Sequence, residues 1–217
     1  MPSSGVCLHI GCGLVVAPGW QNLDTSPSLR LVRLPLIGPG LQRLAKLPPW
    51  PAAVGYGDIV RGLPLKLESC DLVYASHMLE HLTLPDFHRA MGHIFSYLRS
   101  QGTFRAVVPD LAALVATYER DRQDPDAAPQ AAHRLMIDSL LGNNLPRHTL
   151  PQRLRLAFAN NHHQWMWDQA SLAQAFRDQG YIKVRCCQYG DWGDRRFADV
   201  EHPESFQGAI AVEGIKP

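Results

Sequence analysis

Apolar residues are grouped along the chain in short runs that glycine, proline and polar residues separate. Residues 6–10 and 70–76 have continuous apolar middles, which are typical of strands in a parallel sheet covered on both faces. Other runs of strand length recur before and after them. We predict strands at residues 6–10, 20–24, 56–60, 70–76, 103–108, 183–189 and 208–213.

Between the fourth and fifth predicted strands, the apolar positions change to helical spacing. Pro85 and Asp86 suit a first helical turn, because proline fits that position and a carboxylate complements the helix dipole. Apolar residues then repeat three or four positions apart, at Phe87, Met91, Phe95 and Leu98. The spacing predicts a helix over residues 84–99 and therefore a right-handed strand–helix–strand unit.

The remaining segments are less regular. We predict an irregular connection over residues 26–57, with one short helix at 41–47. The two final strands are predicted to pair antiparallel at the sheet edge. Residues 111–160 hold two or three helical stretches between proline-rich loops. We predict a single domain over residues 1–217, with residues 111–160 as a helical cap.

Composition narrows the classes of function. The chain has 217 residues, of which 46% are hydrophobic, and this is enough for one sizeable α/β core. Its 21 Lys and Arg residues nearly balance 20 Asp and Glu residues, which argues against general nucleic-acid binding. The three arginines and one histidine of residues 147–155 are interpreted as a solvated helix face.

The cysteines and the apolar stretches predict the cellular compartment. The five cysteines form no C-x-x-C pair and are odd in number, so buried, reduced thiols are the simplest interpretation. The sequence has neither a signal-peptide pattern at its start nor an apolar stretch long enough to cross a bilayer. We expect a cytoplasmic protein that does not associate with membranes.

A glycine turn follows the first predicted strand. Gly11 and Gly13 allow backbone N–H groups to approach a ligand closely. Asp24 ends the second predicted strand, where a carboxylate can hold the hydroxyl groups of a ribose. The glycines could instead form only a tight turn, and Asp24 could be a helix cap or a surface turn residue.

Several stretches occur together in an order that carries a family resemblance. They are LHIGCG at 8–13, GWQNLD at 19–24, GDI at 57–59, CDLVYASHMLEHL at 70–82, FRAVVPDL at 104–111 and HHQWMWDQASLAQAFRDQGY at 162–181. Together they resemble class I S-adenosylmethionine-dependent methyltransferases, and more narrowly the small bacterial type 11 branch. The resemblance implies a Rossmann-like, mostly parallel seven-stranded sheet with helices on both faces and the last strand inserted antiparallel.

The resemblance also implies S-adenosyl-L-methionine as the cofactor and assigns its contacts. The two glycines of the turn would approach the methionyl part, and the carboxylate that ends the second strand would accept hydrogen bonds from both ribose hydroxyls. An Asp-Ile pair would meet the adenine, and a Ser-His pair after the fourth strand would line the pocket near the sulfonium. The residues are Gly11, Gly13, Asp24, Asp58, Ile59, Ser76 and His77.

Two departures from the usual pattern leave alternatives open. Only residues 14–19 separate the glycine turn from the second strand, which is too short for a crossover helix, and a third glycine is missing. Both departures favour a catalytically inactive, methyltransferase-like binding or assembly protein as the alternative function. A nucleotide-sugar or NAD-binding enzyme is a third hypothesis, although the short gap leaves no helix to support a pyrophosphate.

The predicted reaction needs few catalytic groups. The sulfonium is already a good leaving group, so catalysis consists mainly of aligning a nucleophile with the methyl group. A base is needed only where the acceptor loses a proton, as a hydroxyl does. The candidates are His77, His81, Asp110, His162 and His163, and we predict catalytic roles for His77, His162 and His163.

Two further motifs have two interpretations each. His77, Glu80 and His81 share one face of a helix at this spacing and could converge on a metal, but we favour packing or helix capping and predict no metal. Trp165 and Trp167 could form an acceptor wall, or they could anchor the inserted segment to the core.

The sequence therefore predicts an enzyme that methylates a small or medium-sized molecule. We expect a hydroxyl of a sugar or natural product to be the acceptor, by analogy with relatives of this type. The sequence does not identify the acceptor or the oligomeric state, for which a homodimer is one alternative.

Overall fold

The computed structural model describes residues 5–142 and 162–217. Within these residues seven strands form one sheet, and we number them in chain order. They are β1 (Val6–Ile10), β2 (Gln21–Asp24), β3 (Val54–Tyr56), β4 (Cys70–Ser76), β5 (Leu98–Pro109), β6 (Ile182–Cys187) and β7 (Ala209–Ile215).

Helices connect these strands. They are α1 (Pro27–Val32), α2 (Gly38–Ala45), α3 (Leu84–Tyr97), α4 (Leu111–Asp121), α5 (Ala128–Asp138) and α6 (Gln169–Asp178). Short 3₁₀ turns lie at Leu79–His81, Arg195–Asp199 and Pro203–Phe206. Helix α3 begins after Thr83, whose hydroxyl accepts a hydrogen bond from the Asp86 N–H.

The strand order across the sheet is β3-β2-β1-β4-β5-β7-β6. The first five strands of this order pair in parallel, and β7 pairs antiparallel with both β5 and β6. The expected seven-stranded, mostly parallel Rossmann-like sheet with an antiparallel last strand is therefore confirmed. The order reverses between β1 and β4, and open sheets of this kind bind ligands at such a switch point.

The register brings the ends of the central strands to one level. Ile10, the last residue of β1, lies opposite Leu23 of β2 and Ala75 of β4. The glycine turn, Asp24 and Ser76 consequently all lie at the carboxyl edge of the sheet, because parallel strands end on the same side.

Two apolar layers pack on the two faces of the sheet. One layer joins β1, β4 and β5 to α3 and α6, with Phe87, Phe104 and Phe176 at its centre. The opposite layer contains Trp20 and Phe197, which come from the β1–β2 loop and from a 3₁₀ turn. No helix lies between β1 and β2, since residues 11–20 are too few for one, and short segments cover this face instead.

Some predicted boundaries were wrong. Strand β3 is Val54–Tyr56 rather than 56–60, because Asp58 accepts a hydrogen bond from the Val60 N–H and turns the chain there. The segment predicted as irregular also contains helix α1, and the predicted helix at 41–47 lies at Gly38–Ala45. The final two strands pair antiparallel at the sheet edge as predicted, with β6 at the edge and β7 inserted beside β5 as the resemblance implied.

The predicted cap begins with two packed helices. Helices α4 and α5 are joined by an ion pair from Arg134 of α5 to Asp121 of α4, a carboxylate that also pairs with its neighbour Arg120. The rest of the predicted cap, including the basic stretch at 147–155, lies largely outside the described residues. Among the helices of the described residues, none is both long and apolar enough to span a membrane. All five cysteines are free, and four of them are buried.

Candidate active site

The glycine turn after β1 depends on backbone conformations that favour glycine. Gly11 and Gly13 have φ angles of +64° and +55°, in the left-handed region. A Cβ atom on Gly11 would lie 2.6 Å from Cβ of Met78, whereas one on Gly13 would have no atom within 4 Å. The turn is tied to β2, because the Cys12 N–H donates a hydrogen bond to the Leu23 carbonyl at 3.1 Å.

Asp24 is buried behind this turn. Its Oδ2 accepts a hydrogen bond from the Gly13 N–H at 2.9 Å, and its Oδ1 accepts one from the Ser26 N–H at 2.7 Å. Each carboxylate oxygen can accept a second hydrogen bond. The side chain is therefore held in a fixed orientation and keeps acceptor capacity for a ligand with two adjacent hydroxyls.

A cavity of about 620 Å³ opens at the carboxyl edge of the sheet, a size within the usual range for small-molecule sites. One group of lining residues follows β1, β2 and β3, and it includes Gly11, Thr25, Asp58 and Ile59. The other group comes from the turn after β4, the start of α3 and the segment before α6. It includes His81, Thr83, Asp86, Arg89 and Gln164.

The loop that carries Asp58 and Ile59 is fixed by local hydrogen bonds. Asp58 Oδ1 accepts from the Val60 N–H at 3.0 Å, and the Ile59 carbonyl accepts from Nδ1 of His93 at 2.7 Å. Ile59 is buried and Asp58 is half-buried. Of the predicted cofactor contacts, Gly11, Asp58 and Ile59 line the cavity, whereas Gly13, Asp24, Ser76 and His77 lie outside its lining.

His77 follows β4 in an uncommon backbone conformation, with a φ angle of +51°, which is costly for a residue with a side chain and is often found at functional sites. Its Nε2–H donates a hydrogen bond to the Ser205 carbonyl at 2.8 Å, and its Nδ1 lies 3.4 Å from Glu80 Oε1. The interaction with Glu80 raises the pKa of His77.

Glu80 lies in the 3₁₀ turn after His77 and its side chain is fully buried. Neither of its carboxylate oxygens has a hydrogen-bond partner among the described residues. Nε2 of His163 lies 3.9 Å from Glu80 Oε1, and the ring centroids of His81 and His163 are 5.0 Å apart. Burial lowers the pKa of His163.

The segment before α6 binds to the same turn. The Gln164 N–H donates a hydrogen bond to the Glu80 carbonyl at 2.7 Å, and its side-chain amide donates to the His81 carbonyl at 2.8 Å. Residues about eighty positions apart in the chain thereby form one wall of the cavity.

The other residues considered for catalysis or for an acceptor wall have different environments. The His162 side chain is exposed, although its carbonyl accepts a hydrogen bond from Nδ1 of His81 at 3.2 Å. Asp110 caps helix α4 by accepting from the Ala112 N–H at 2.9 Å. Trp167 is buried, with its ring centroid 4.4 Å from that of Phe87, while Trp165 is 42% exposed. The anchoring interpretation therefore fits Trp167.

Sequence reasoning missed the cavity residues that come from elsewhere in the chain. Thr25, Met78 and Gln164 line the cavity without having been predicted there. The proximity of Gln164 to the Leu-Glu-His turn has no local signal, because it depends on how the segment after the predicted cap folds back. Thr25 could have been found, since it directly follows Asp24 at a strand end.

The geometry fits an adenosyl group. A glycine turn whose Gly11 has no space for a side chain, a buried carboxylate with free acceptor capacity and an adjacent cavity meet at the switch point of the sheet. These features, with an antiparallel last strand, define a class I methyltransferase-like fold. A family model described as a methyltransferase domain matches residues 28–185, more than half of the chain. The chain therefore belongs to this methyltransferase family, with S-adenosylmethionine as its cofactor.

Solved structures with methyltransferase descriptions are similar to the chain at low sequence identity. A complex between the Haloferax volcanii Trm112 methyltransferase activator and a protein described as a methyltransferase gives 19% identity and a TM-score of 0.49, covering 100% of this chain and 85% of the other. An S-adenosylmethionine-dependent methyltransferase from Thermotoga maritima gives 15% identity and a TM-score of 0.47, covering 100% and 84%.

A longer structure, the Haemonchus contortus phosphoethanolamine N-methyltransferase 2 with S-adenosylmethionine, gives 11% identity and a TM-score of 0.47, covering 100% of this chain and 50% of the other. A comparison with curated proteins finds no significant match. The family match begins at residue 28, so the glycine turn and Asp24 precede it.

Proposed function

We propose that the enzyme transfers the methyl group of S-adenosylmethionine to a hydroxyl of a small or medium-sized polar acceptor, such as a sugar or a natural product. The observation that carries the proposal is the division of the cavity wall. The loops after β1, β2 and β3 form one side, whereas hydrogen-bonding side chains from the turn after β4, helix α3 and residue 164 form the other.

The first side of the cavity suits the nucleoside. Gly11 and Gly13 would approach the methionyl part, and Asp24 would accept hydrogen bonds from both ribose hydroxyls through the free lone pairs of its two oxygens. Asp58 and Ile59 would contact the adenine at the cavity wall. Ser76 and His77 would lie next to the sulfonium, because Ser76 ends β4 and His77 follows it, beside the glycine turn.

The second side suits an acceptor that carries hydroxyl groups. Thr83 and Gln164 offer a hydroxyl and an amide, and Asp86 and Arg89 form an ion pair at 2.9 Å that also lines the cavity. Such groups can both donate and accept hydrogen bonds. A purely apolar acceptor would leave them without partners, which costs binding free energy.

The reaction needs alignment and the loss of one proton. The acceptor oxygen forms a bond to the methyl carbon while the carbon–sulfur bond breaks, and the electron pair of that bond stays on the sulfur of S-adenosylhomocysteine. The hydroxyl proton leaves to a base or to water. His77 beside Glu80 and the exposed His162 are our candidates for assisting this step, and His163 is a third candidate only while its Nε2 binds no other ligand.

Calorimetry with S-adenosylhomocysteine tests the cofactor assignment. We expect Asp24→Ala to weaken binding by about 10- to 100-fold, because two hydrogen bonds to a charged acceptor are lost. Asp126→Ala is the matched control, since Asp126 is exposed in the loop before α5. Equal affinity in the two variants would remove Asp24 from this role.

A transfer assay then tests the reaction itself. The enzyme with labelled S-adenosylmethionine should label hydroxyl-rich acceptors, and NAD should not compete for the cofactor site. Tight binding of S-adenosylhomocysteine without transfer to any hydroxyl, amine or carbon acceptor would instead favour the non-catalytic binding protein.

A further inference from the structure

We propose that Glu80, His81 and His163 form a binding site for a divalent first-row transition metal ion, with Zn²⁺ as the best-suited ion. One ligand atom from each side chain lies within 4.8 Å of the other two. Two imidazoles and one carboxylate are a ligand set that Zn²⁺ uses where it keeps an open position.

The carboxylate gives the first argument. Glu80 is fully buried, and both of its oxygens lack a hydrogen-bond partner among the described residues. A buried, unpaired carboxylate is strongly unfavourable unless a cation neutralises it. The His77 Nδ1 at 3.4 Å is a neighbouring group, but it approaches only Oε1, so the second oxygen still lacks a partner.

The imidazoles give the second argument. Nδ1 of His163 lies 2.8 Å from the Ser139 carbonyl, and Nδ1 of His81 lies 3.2 Å from the His162 carbonyl. A carbonyl oxygen only accepts hydrogen bonds, so each Nδ1 carries the proton and each Nε2 keeps its lone pair. This is the arrangement of metal-binding histidines, whose second nitrogen donates to a carbonyl or carboxylate.

The distances allow coordination after small side-chain movements. A tetrahedral ion with bonds of about 2.1 Å holds its ligand atoms about 3.4 Å apart. Nε2 of His163 is 3.9 Å from Glu80 Oε1. The contraction that the ion requires is therefore less than an ångström for this pair.

The location gives the site a connection to the reaction. His81 lines the cavity on the side that we assign to the acceptor, so an open coordination position could receive an acceptor oxygen. A Lewis acid there would make an acceptor hydroxyl more acidic. This role rests on the proposed function, whereas the binding of the ion does not.

Titration of the metal-free protein with Co²⁺ and Zn²⁺ tests the site. We expect one Co²⁺ per chain with the visible absorption of a low-coordinate ion, displaced by one equivalent of Zn²⁺. Glu80→Gln, His81→Asn and His163→Asn should each weaken binding by at least about 10-fold, the order of effect that even the partners of metal ligands show. His133→Asn, an exposed histidine of α5, should bind like the unaltered protein.

Circular dichroism of each variant keeps the outcome interpretable. Glu80→Gln conserves shape and removes a buried charge, so we expect it to fold. Lack of stoichiometric binding by the unaltered protein, or full binding by folded Glu80→Gln, would overturn the site. Calorimetry with S-adenosylhomocysteine on the same metal-free protein reports the cofactor site separately, so either proposal can fail while the other stands.

Discussion

At the scale of single residues, Gly11 carries the strongest steric constraint in the site. Its φ angle of +64° excludes most side chains, and the Met78 side chain occupies the position where a Cβ atom would lie. The residue therefore has two separate reasons to be glycine. Gly13 shares the first reason but not the second, because the space beside it is open, and the two positions form a natural comparison.

We expect Gly13→Ala to lower the free energy of unfolding by about 1–2 kcal/mol, the cost of a left-handed residue with a Cβ atom. Gly11→Ala should cost about 1–3 kcal/mol more, because Met78 must move out of a packed position. Urea unfolding of both variants measures the difference.

A double variant isolates the contribution of the Met78 contact to the cost of Gly11→Ala. Gly11→Ala combined with Met78→Gly should be more stable than the sum of the two single effects predicts, since both Met78 atoms that clash with the new Cβ atom, Cβ and Cγ, are absent when both changes are present. Additive effects, or equal costs at the two glycines, would contradict the assigned contact.

Only some of these features of single residues could be predicted from the sequence. The glycines and Asp24 could be predicted because the glycine turn follows β1 and Asp24 ends β2, and strand ends in a parallel sheet share an edge. The contact of Gly11 with Met78 and the burial of Glu80 beside His163 could not, because they depend on a loop after β4 and on a segment more than eighty residues later. Local patterns contain no signal for such long-range proximity.

At the scale of elements, Arg105 joins β5 to β7 and to the segment before β7. Its side chain is fully buried, and it donates hydrogen bonds to Glu201 Oε1 at 2.8 Å and to Glu213 Oε2 at 2.6 Å. The guanidinium also lies 4.6 Å from the centre of the Phe197 ring. Trp192 donates to the other oxygen of Glu201 at 2.6 Å, so the network includes a ring from the same segment.

We expect Arg105→Met to lower the free energy of unfolding by about 3–5 kcal/mol, because it leaves the buried Glu201 without its cation and leaves Glu213 with only the part-buried Arg185. Arg120→Met, at an exposed side chain of α4, should have a much smaller effect. Urea unfolding at constant pH provides the measurement.

A variant in which the carboxylates are also neutralised tests whether uncompensated charge causes this loss of stability. Arg105→Met with Glu201→Gln and Glu213→Gln should recover much of the lost stability, since no uncompensated charge remains. If the triple variant is no more stable than Arg105→Met alone, the charge argument is wrong and lost packing explains the effect.

The same scale shows which elements a sequence can predict. Helix α3 and strand β4 were predicted within two residues, because their apolar spacing is unambiguous. The three-residue β3 was displaced, since its apolar pattern continues through Ile59 although the Asp58 turn has ended the strand. The position of β7 inside the sheet came from the family resemblance, because pairing partners are not encoded in a strand's own pattern.

At the scale of the whole molecule, a neutral histidine lies within the central sheet. His9 of β1 is 3% exposed, its Nδ1–H donates to Asn22 Oδ1 at 3.2 Å, and its ring packs beside Tyr74. Burial lowers the pKa of His9 to about 4, although the Asn22 hydrogen bond and the charge of Asp24 oppose the shift and His202 adds to it. The folded state therefore excludes a proton that the unfolded chain accepts near pH 6.5.

This difference in proton binding makes the free energy of unfolding of the entire domain depend on pH. Above pH 6.5 both states keep His9 neutral, and as the pH falls towards 4 the unfolded state gains a proton that the folded state does not. We expect the free energy of unfolding to lose about 2 kcal/mol between pH 7 and pH 5 through this residue. His9→Gln keeps a donor for Asn22 but does not titrate, and the other titrating groups are common to both proteins. Urea unfolding across this range should therefore give a shallower loss for the variant, and parallel pH profiles would show that His9 is protonated equally in both states.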